Sequence, residues 1–424
     1  MASGLANAAT TLDATPANYR DLIPLLHAGD TLRLAAGEYR DGLALHDLAG
    51  AADRAITISG PAAGTPATFI ARPLHNTVSI VDSHHVVLKN LVLDGHDLPV
   101  DAVKSERPSR YAHHITLENL LIIRHGNNQQ TVGISTKCPA WNWVVRGNTI
   151  VGAGTGMYFG DSDGSAPFVA GVIERNLIVD TIGYNLQIKH QLARPDIAGM
   201  PREASVTTIR YNVFANAGGG SPAAPRPNVL VGHFPTEGPG VEDRYAVYGN
   251  FFYRNRYEAL FQGEGNVALY SNIFVNPHGD AIRIQPHNDI PRRIDIAFNT
   301  VLAERIGIAV VVNERSASYR QAVVANAVFA AVPIAGGTQS GNFTGTLADA
   351  ERRLTRPFAI LGEFDPYPRA RWENAADSDP PNPAALPDWD RDFNRRPRQP
   401  GSIGAYGDSG ANPGRLPTLS LMPE

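Results

Sequence analysis

One phrase constrains this chain more than any other: an asparagine followed by apolar residues, returning at a nearly fixed interval. It occurs at Asn90, Asn119, Asn148, Asn176, Asn212, Asn250, Asn272, Asn299 and Asn326, at spacings of 29, 29, 28, 36, 38, 22, 27 and 27 residues. Upstream of each lies an alternating run such as Ile115–Glu118, Thr207–Arg210 or Ile294–Ala297, the two-residue period of a half-buried strand. A unit of short strands and turns cannot satisfy its own backbone N–H and C=O groups. It must stack on copies of itself about 4.8 Å away, as a solenoid. An asparagine at the same turn of every coil can hydrogen-bond to those above and below and so fix the register. The expected fold is all-β, a right-handed parallel β-helix of about ten coils.

An open solenoid end exposes unpaired backbone and needs a cover. Residues 18–28 read as a short amphipathic capping helix at the N-terminal end, before the first coils at Gly29–Leu34 and Ile56–Ser59. Past about residue 345 the phrase stops and Pro, Asp and Arg dominate. Residues 1–345 are therefore read as capped β-helix, and 346–424 as an irregular Pro-rich cover lying along its side or end.

Composition narrows the partners. A net charge of −4 and a pI of about 6.4 give no basic footprint for nucleic acid. No apolar run reaches the roughly 18 residues of a membrane span, and a monomer is expected. Cys138 is the sole cysteine, so no intramolecular disulfide forms. The opening Met1–Asn7 has neither the basic nor the apolar region of a signal peptide; a mature secreted or periplasmic protein is the expectation.

Aligning the strand after each asparagine turn gives columns. Ser135, Tyr158, Gln187, Leu230, Leu260 and Arg283 fall in one exposed row. Lys137, Gly160, Lys189, Gly232, Gln262 and Gln285 fall in the row beside it. The chain has only four lysines (Lys89, Lys104, Lys137 and Lys189) among 37 basic residues, and two share that row. Lysine can give up its proton when its pKa falls and arginine cannot, so a general base is one role that requires it. Gly160 and Gly232 leave the sheet bare on either side of Lys189. The long repeats add loops at 192–203, 218–227 and 235–243. Solenoid insertions collect on the binding face, and these flank the strands of Lys189 and His233.

The segments Ala28–Tyr39 and Ala55–Gly60, with the closing Asp388–Pro397 and Ser402–Tyr406, resemble the start and end of exported β-helix proteins. These include the polysaccharide lyases of the chondroitinase B and alginate lyase family. That resemblance implies a lysine base on one coil and an Arg-His pair on the next. Lys189 matches the lysine, and Gly232–His233 matches the pair with glycine in the arginine's place. No equivalent of the family's acidic calcium cluster is evident.

The resemblance implies β-elimination on an acidic polysaccharide. The base takes the proton α to a uronate carboxylate and the 4-linked oxygen leaves. Lys189 is the candidate base, with His233 or Tyr158 as acid. Arg283, Gln262, Gln285, Gln187, Lys137, His190 and Asp161 are candidates to hold the substrate. Either Ca2+ or side-chain donors would neutralise the carboxylate. Two other readings stand beside this one. A glycoside hydrolase would use Asp161, Asp163 and Glu264. A non-catalytic glycan-binding protein would want exposed aromatics, of which the row offers mainly Tyr158.

Overall fold

The computed structural model describes residues 8–372, 380, 382–383 and 385–423. The chain winds into a right-handed parallel β-helix. One face is an 11-stranded parallel sheet, from Leu43–His46 at one end to Val332–Ala335 at the other. The other two faces are joined into one sheet of 25 strands. They join because Ser83–Asp94 and Ala112–Ile123 run unbroken round the corner between them, each as a single 12-residue strand. Each coil places one strand in the 11-stranded sheet, so the solenoid has one coil more than the repeat suggested. Alternate side chains point inward to a core that no water reaches. Phe214, Phe252 and Phe274, for example, stack on successive coils at 5.3 and 4.3 Å between ring centroids.

The asparagine ladder is real but begins later than the phrase does. Asn148, Asn176, Asn212, Asn250, Asn272, Asn299 and Asn326 are fully buried. Each takes both its backbone N–H and its side-chain N–H2 to the Oδ1 of the next, at 2.9–3.1 Å. The second amide proton goes to a carbonyl of the preceding coil, such as Ile173 O for Asn212 at 2.9 Å. The ladder ends on Asn342, which the repeat count omitted. Before each rung stands a residue with positive φ, among them Gly147 (64°), Arg175 (53°) and Tyr211 (57°). That left-handed residue turns the chain inward.

Asn90 and Asn119 occupy this left-handed position themselves (φ 58° and 51°). They bond to each other outside the core, while Leu91 and Leu120 fill the rung. The same phrase is therefore offset by one residue in those two coils. Asparagine tolerates the left-handed region, so both placements are open to it.

The ends differ from the expectation in detail. The N-terminal helix is short: an α-helical turn at Tyr19–Leu22 passes into a 3-10 turn at Ile23–Leu25, where Pro24 removes a donor. It still covers the end of the solenoid, with Tyr19 edge-on to Tyr39 and Phe69. A strand at Thr11–Ala14 extends the first sheet by pairing with Thr31–Leu34. The C-terminal region opens with a short regular stretch before it becomes irregular. A helix at Leu347–Arg353 is closed by a Thr346/Asp349 capping box, and a hairpin follows at Leu354–Arg356 and Asp365–Pro368. Phe364, Tyr367, Phe393 and Tyr406 then pack on Val213, Phe251 and Ile273 along the side of the solenoid. Among the described residues no helix is long and apolar enough to cross a membrane.

Candidate functional site

Cross-strand register on the outer face of the 11-stranded sheet defines two rows. The first runs Ser79, Lys104, Ser135, Tyr158, Gln187, Leu230, Gln262 and Arg283. Leu260 does not belong to it: it is buried in the core, and Gln262 holds the place assigned to it. The alternation in Ala259–Gln262 slips because the chain there enters the sheet two residues late, at Phe261. In the second row Glu264, not Gln262, follows Gly232, since Val231 pairs with Gly263. Gln285 follows Glu264.

The surface of this sheet is hollowed into a groove of about 450 Å³. Its floor carries Lys104, Lys137, Lys189, Tyr158 and Gln187, and Tyr184 and Arg226 stand at its rim. Three of the chain's four lysines thus converge on one groove. Lys104 was missed because the column comparison began one coil too late. Arg226 is delivered by the inserted loop at 218–227, and its guanidinium lies over the Tyr184 ring, 5.7 Å from the centroid. Gln129 donates to Ala224 O at 3.0 Å and ties that loop to the opposite coil.

Gly160 is the hinge of the arrangement. Its φ of +95° is one that side chains resist. The Lys137 ammonium donates to its carbonyl at 3.3 Å. The Lys189 stem lies across its α-carbon, 3.2 Å from where a β-carbon would stand. Lys137 also sits 3.5 Å from the centre of the Tyr158 ring, and the Tyr158 hydroxyl is 3.1 Å from Ser162 Oγ. Lys104 pairs with Asp101 at 3.2 Å. The Lys189 amine alone of the three makes no hydrogen bond or ion pair to a described residue.

Burial sets the proton affinities. It lowers Lys137 to about 8, with Lys104 and Arg107 adding repulsion against the pull of Asp161. Burial also lowers Lys189; Glu264, one strand beyond Gly232, opposes the shift and Arg226 reinforces it. Both amines are thus easier to deprotonate than a free lysine. Burial raises Tyr158, which keeps its hydroxyl protonated as a donor.

The remaining candidates lie elsewhere. His233 is 5% exposed and turns Nε2 toward Asp289 at 3.4 Å; burial and Arg292 lower it to about 4. His190 packs beside Gly164 rather than in the groove. Arg283 is engaged by Asp280 at 3.0 Å, and Gln262 and Gln285 lie further along the sheet, outside the groove.

The carboxylates of the hydrolase reading do not converge. Asp161 is buried against Arg107 at 2.9 Å. Asp163 caps its own turn through Ser165. Glu264 accepts the backbone N–H groups of His287, Asn288 and Asp289. Of the inserted loops, those at 192–203 and 235–243 are pinned to each other by a buried Arg194–Asp243 pair and contribute nothing to the groove.

Calcium takes six to eight oxygen ligands. The groove's own carboxylate, Asp101, is held by Lys104, and its other charged groups are cations. The donor set does not fit that ion.

No protein-family model matches this chain, and no curated protein matches it in sequence. Its fold is shared with solved structures. Two of these are of the PL6 family alginate lyase AlyGC, one of them a point mutant. They superpose with a TM-score of 0.52 at 15% and 14% identity, covering 79% and 82% of this chain. The chain spans about half the length of those proteins, 51% and 54%. The parallel β-helix resemblance read from the sequence is thus met by the architecture.

Proposed function

We propose that this protein is a polysaccharide lyase that cleaves a uronic-acid-containing polymer by β-elimination in the groove. The observation that carries the reading is Lys189: a half-buried amine without a hydrogen-bond partner among the described residues, in a cationic cleft, one coil from the Tyr158 hydroxyl. The neutral amine takes the proton from the carbon α to the uronate carboxylate. The electron pair left behind forms the new carbon–carbon double bond as the bond to the 4-linked oxygen breaks. Tyr158 donates its proton to that oxygen, and the proton gained by Lys189 restores the balance through solvent. Lys137, Lys104 and Arg226 surround the carboxylate with positive charge, where preorganised donors lower the barrier to the carbanion-like state. His233 has no part in this scheme, and no step passes through a metal. A secreted or periplasmic location is part of the proposal, since polymeric substrates lie outside the cell.

The test is incubation with a panel of polyuronates, followed by ultraviolet absorbance of the conjugated product. Alginate comes first, because the structures described above are of an alginate lyase. Unsaturated ends support the reading. New reducing ends without unsaturation, or tight binding without cleavage, contradict it.

A further inference from the structure

Away from the groove, at a corner where the 11-stranded sheet gives way to the next face, four histidines form a square. His84 and His85 belong to one coil, His113 and His114 to the next, with His84 in register with His113. His85 and His114 both adopt positive φ, 52° and 53°. Consecutive residues of a regular strand point to opposite faces; this kink instead brings each pair side by side. Nδ1 of His84 lies 3.0 Å from Nδ1 of His85, and Nδ1 of His113 lies 2.8 Å from Nδ1 of His114. Between coils the rings stack, at 4.8 Å for His84 on His113 and 4.2 Å for His85 on His114. The buried Trp141 stacks on His113 at 4.3 Å and closes one side. Asn142 lies 3.0 Å from Nε2 of His114. On the other side stands Gly50, where any side chain would run into the His85 backbone.

Two imidazole nitrogens that face each other at this distance share one proton. A divalent ion could take its place. At a metal–nitrogen distance of about 2.0 Å, two ligands at right angles are about 2.8 Å apart, close to the spacing of both pairs. A tetrahedral ion would hold them about 3.3 Å apart. Ligand nitrogens of His84, His85 and His113 all lie within 4.8 Å of one another, and among the described residues no carboxylate or thiol joins them. A nitrogen-only set with right-angled spacing suits tetragonal ions and not calcium or magnesium.

We propose that this histidine square binds one Cu(II) or Ni(II) ion, chelated by a histidine pair with a ring of the neighbouring coil completing the set. Binding moves the proton between the paired Nδ1 atoms to Nε2 of the ring that carried it, so both Nδ1 lone pairs face the ion, and clamps the two coils together. The site is separate from the groove and does not depend on the lyase reading.

The experiment uses untagged, chelator-stripped full-length protein, titrated with Cu(II), Ni(II) and Ca(II) against a chromophoric chelator at neutral pH. The expected result is one equivalent of Cu(II) or Ni(II), with a ligand-field absorption band and no displacement by excess Ca(II). His84→Phe and His113→Phe keep the stacked rings and remove a donor, and each should weaken binding at least tenfold. Should either fail to fold by circular dichroism, His85→Gln at the half-exposed corner serves the same purpose. Absence of stoichiometric binding, or unchanged affinity in a folded variant, would leave a hydrogen-bonded structural stack and overturn the proposal.

Discussion

Replacing Asn212 by alanine tests how much of the solenoid's stability rests on its ladder. The side chain is fully buried. Its Nδ2 donates to Ile173 O at 2.9 Å and to Asn250 Oδ1 at 3.0 Å. Its Oδ1 accepts from the backbone N–H of Asn176 at 3.0 Å and from Asn176 Nδ2 at 2.9 Å. After truncation Asn176 Nδ2 keeps Val145 O, and Asn250 Oδ1 keeps the Asn212 N–H. The Asn176 backbone N–H keeps nothing. One orphaned buried donor costs about 1–3 kcal/mol, and each partial loss about 0.5–1.5 kcal/mol. The sum is about 2–6 kcal/mol, a large share of the roughly 5–15 kcal/mol that holds a domain together. The same change at the half-buried terminal rung Asn342 should cost about 1 kcal/mol, since water replaces the lost partners. Urea denaturation followed by tryptophan fluorescence measures both. Equal midpoints for the two variants would refute the argument, because they would show that burial of the rung does not set its worth.

Three further outcomes follow from the groove and its surroundings. His233 is lowered to about 4 in the folded chain from an ordinary value of 6.5. The unfolded chain therefore binds the extra proton first, and stability falls as pH drops from 6.5 toward 4; His233→Gln should flatten that limb in acid denaturation curves. Arg226→Ala should raise KM several-fold with little change in kcat and make KM less sensitive to salt, since it removes a rim charge that holds polymer; a loss confined to kcat would argue against that role. Because burial lowers Lys189, kcat/KM should climb with pH and level off below the ordinary lysine value of about 10.5, whereas a profile flat between about pH 6 and 9 would contradict a lysine base.

The fold was legible because a solenoid writes its period into the sequence. The asparagine spacing gave the coil length, and the alternating runs gave the strands. The one-residue offset at Asn90 and Asn119 was not legible: an asparagine in the left-handed position and one on the rung are followed by the same apolar residues. Lys189, Lys137, Tyr158 and Gln187 could be brought together from sequence, since register carries them onto one face. Past Leu260, where the strand starts two residues late, the columns slipped, and Gln262 was placed in the row position that Glu264 occupies. Arg226 and Tyr184 reach the groove from turns, and no column predicts where a turn points. His233 and Arg283 sat in the right coils, but Asp289 faces His233 from a later turn, and Asp280, three residues upstream, takes up Arg283.

The central claim is that Lys189 acts by losing its proton. Lys189→Arg keeps the charge and most of the length but cannot serve as a base at neutral pH. Measured side by side on whichever polyuronate the wild type cleaves, the variant should bind polymer with similar affinity and lose the unsaturated product by at least 1,000-fold, within the range expected when a proton-transfer group is removed. Retention of the wild-type rate of absorbance increase would show that another group takes the proton and that the base has been misassigned.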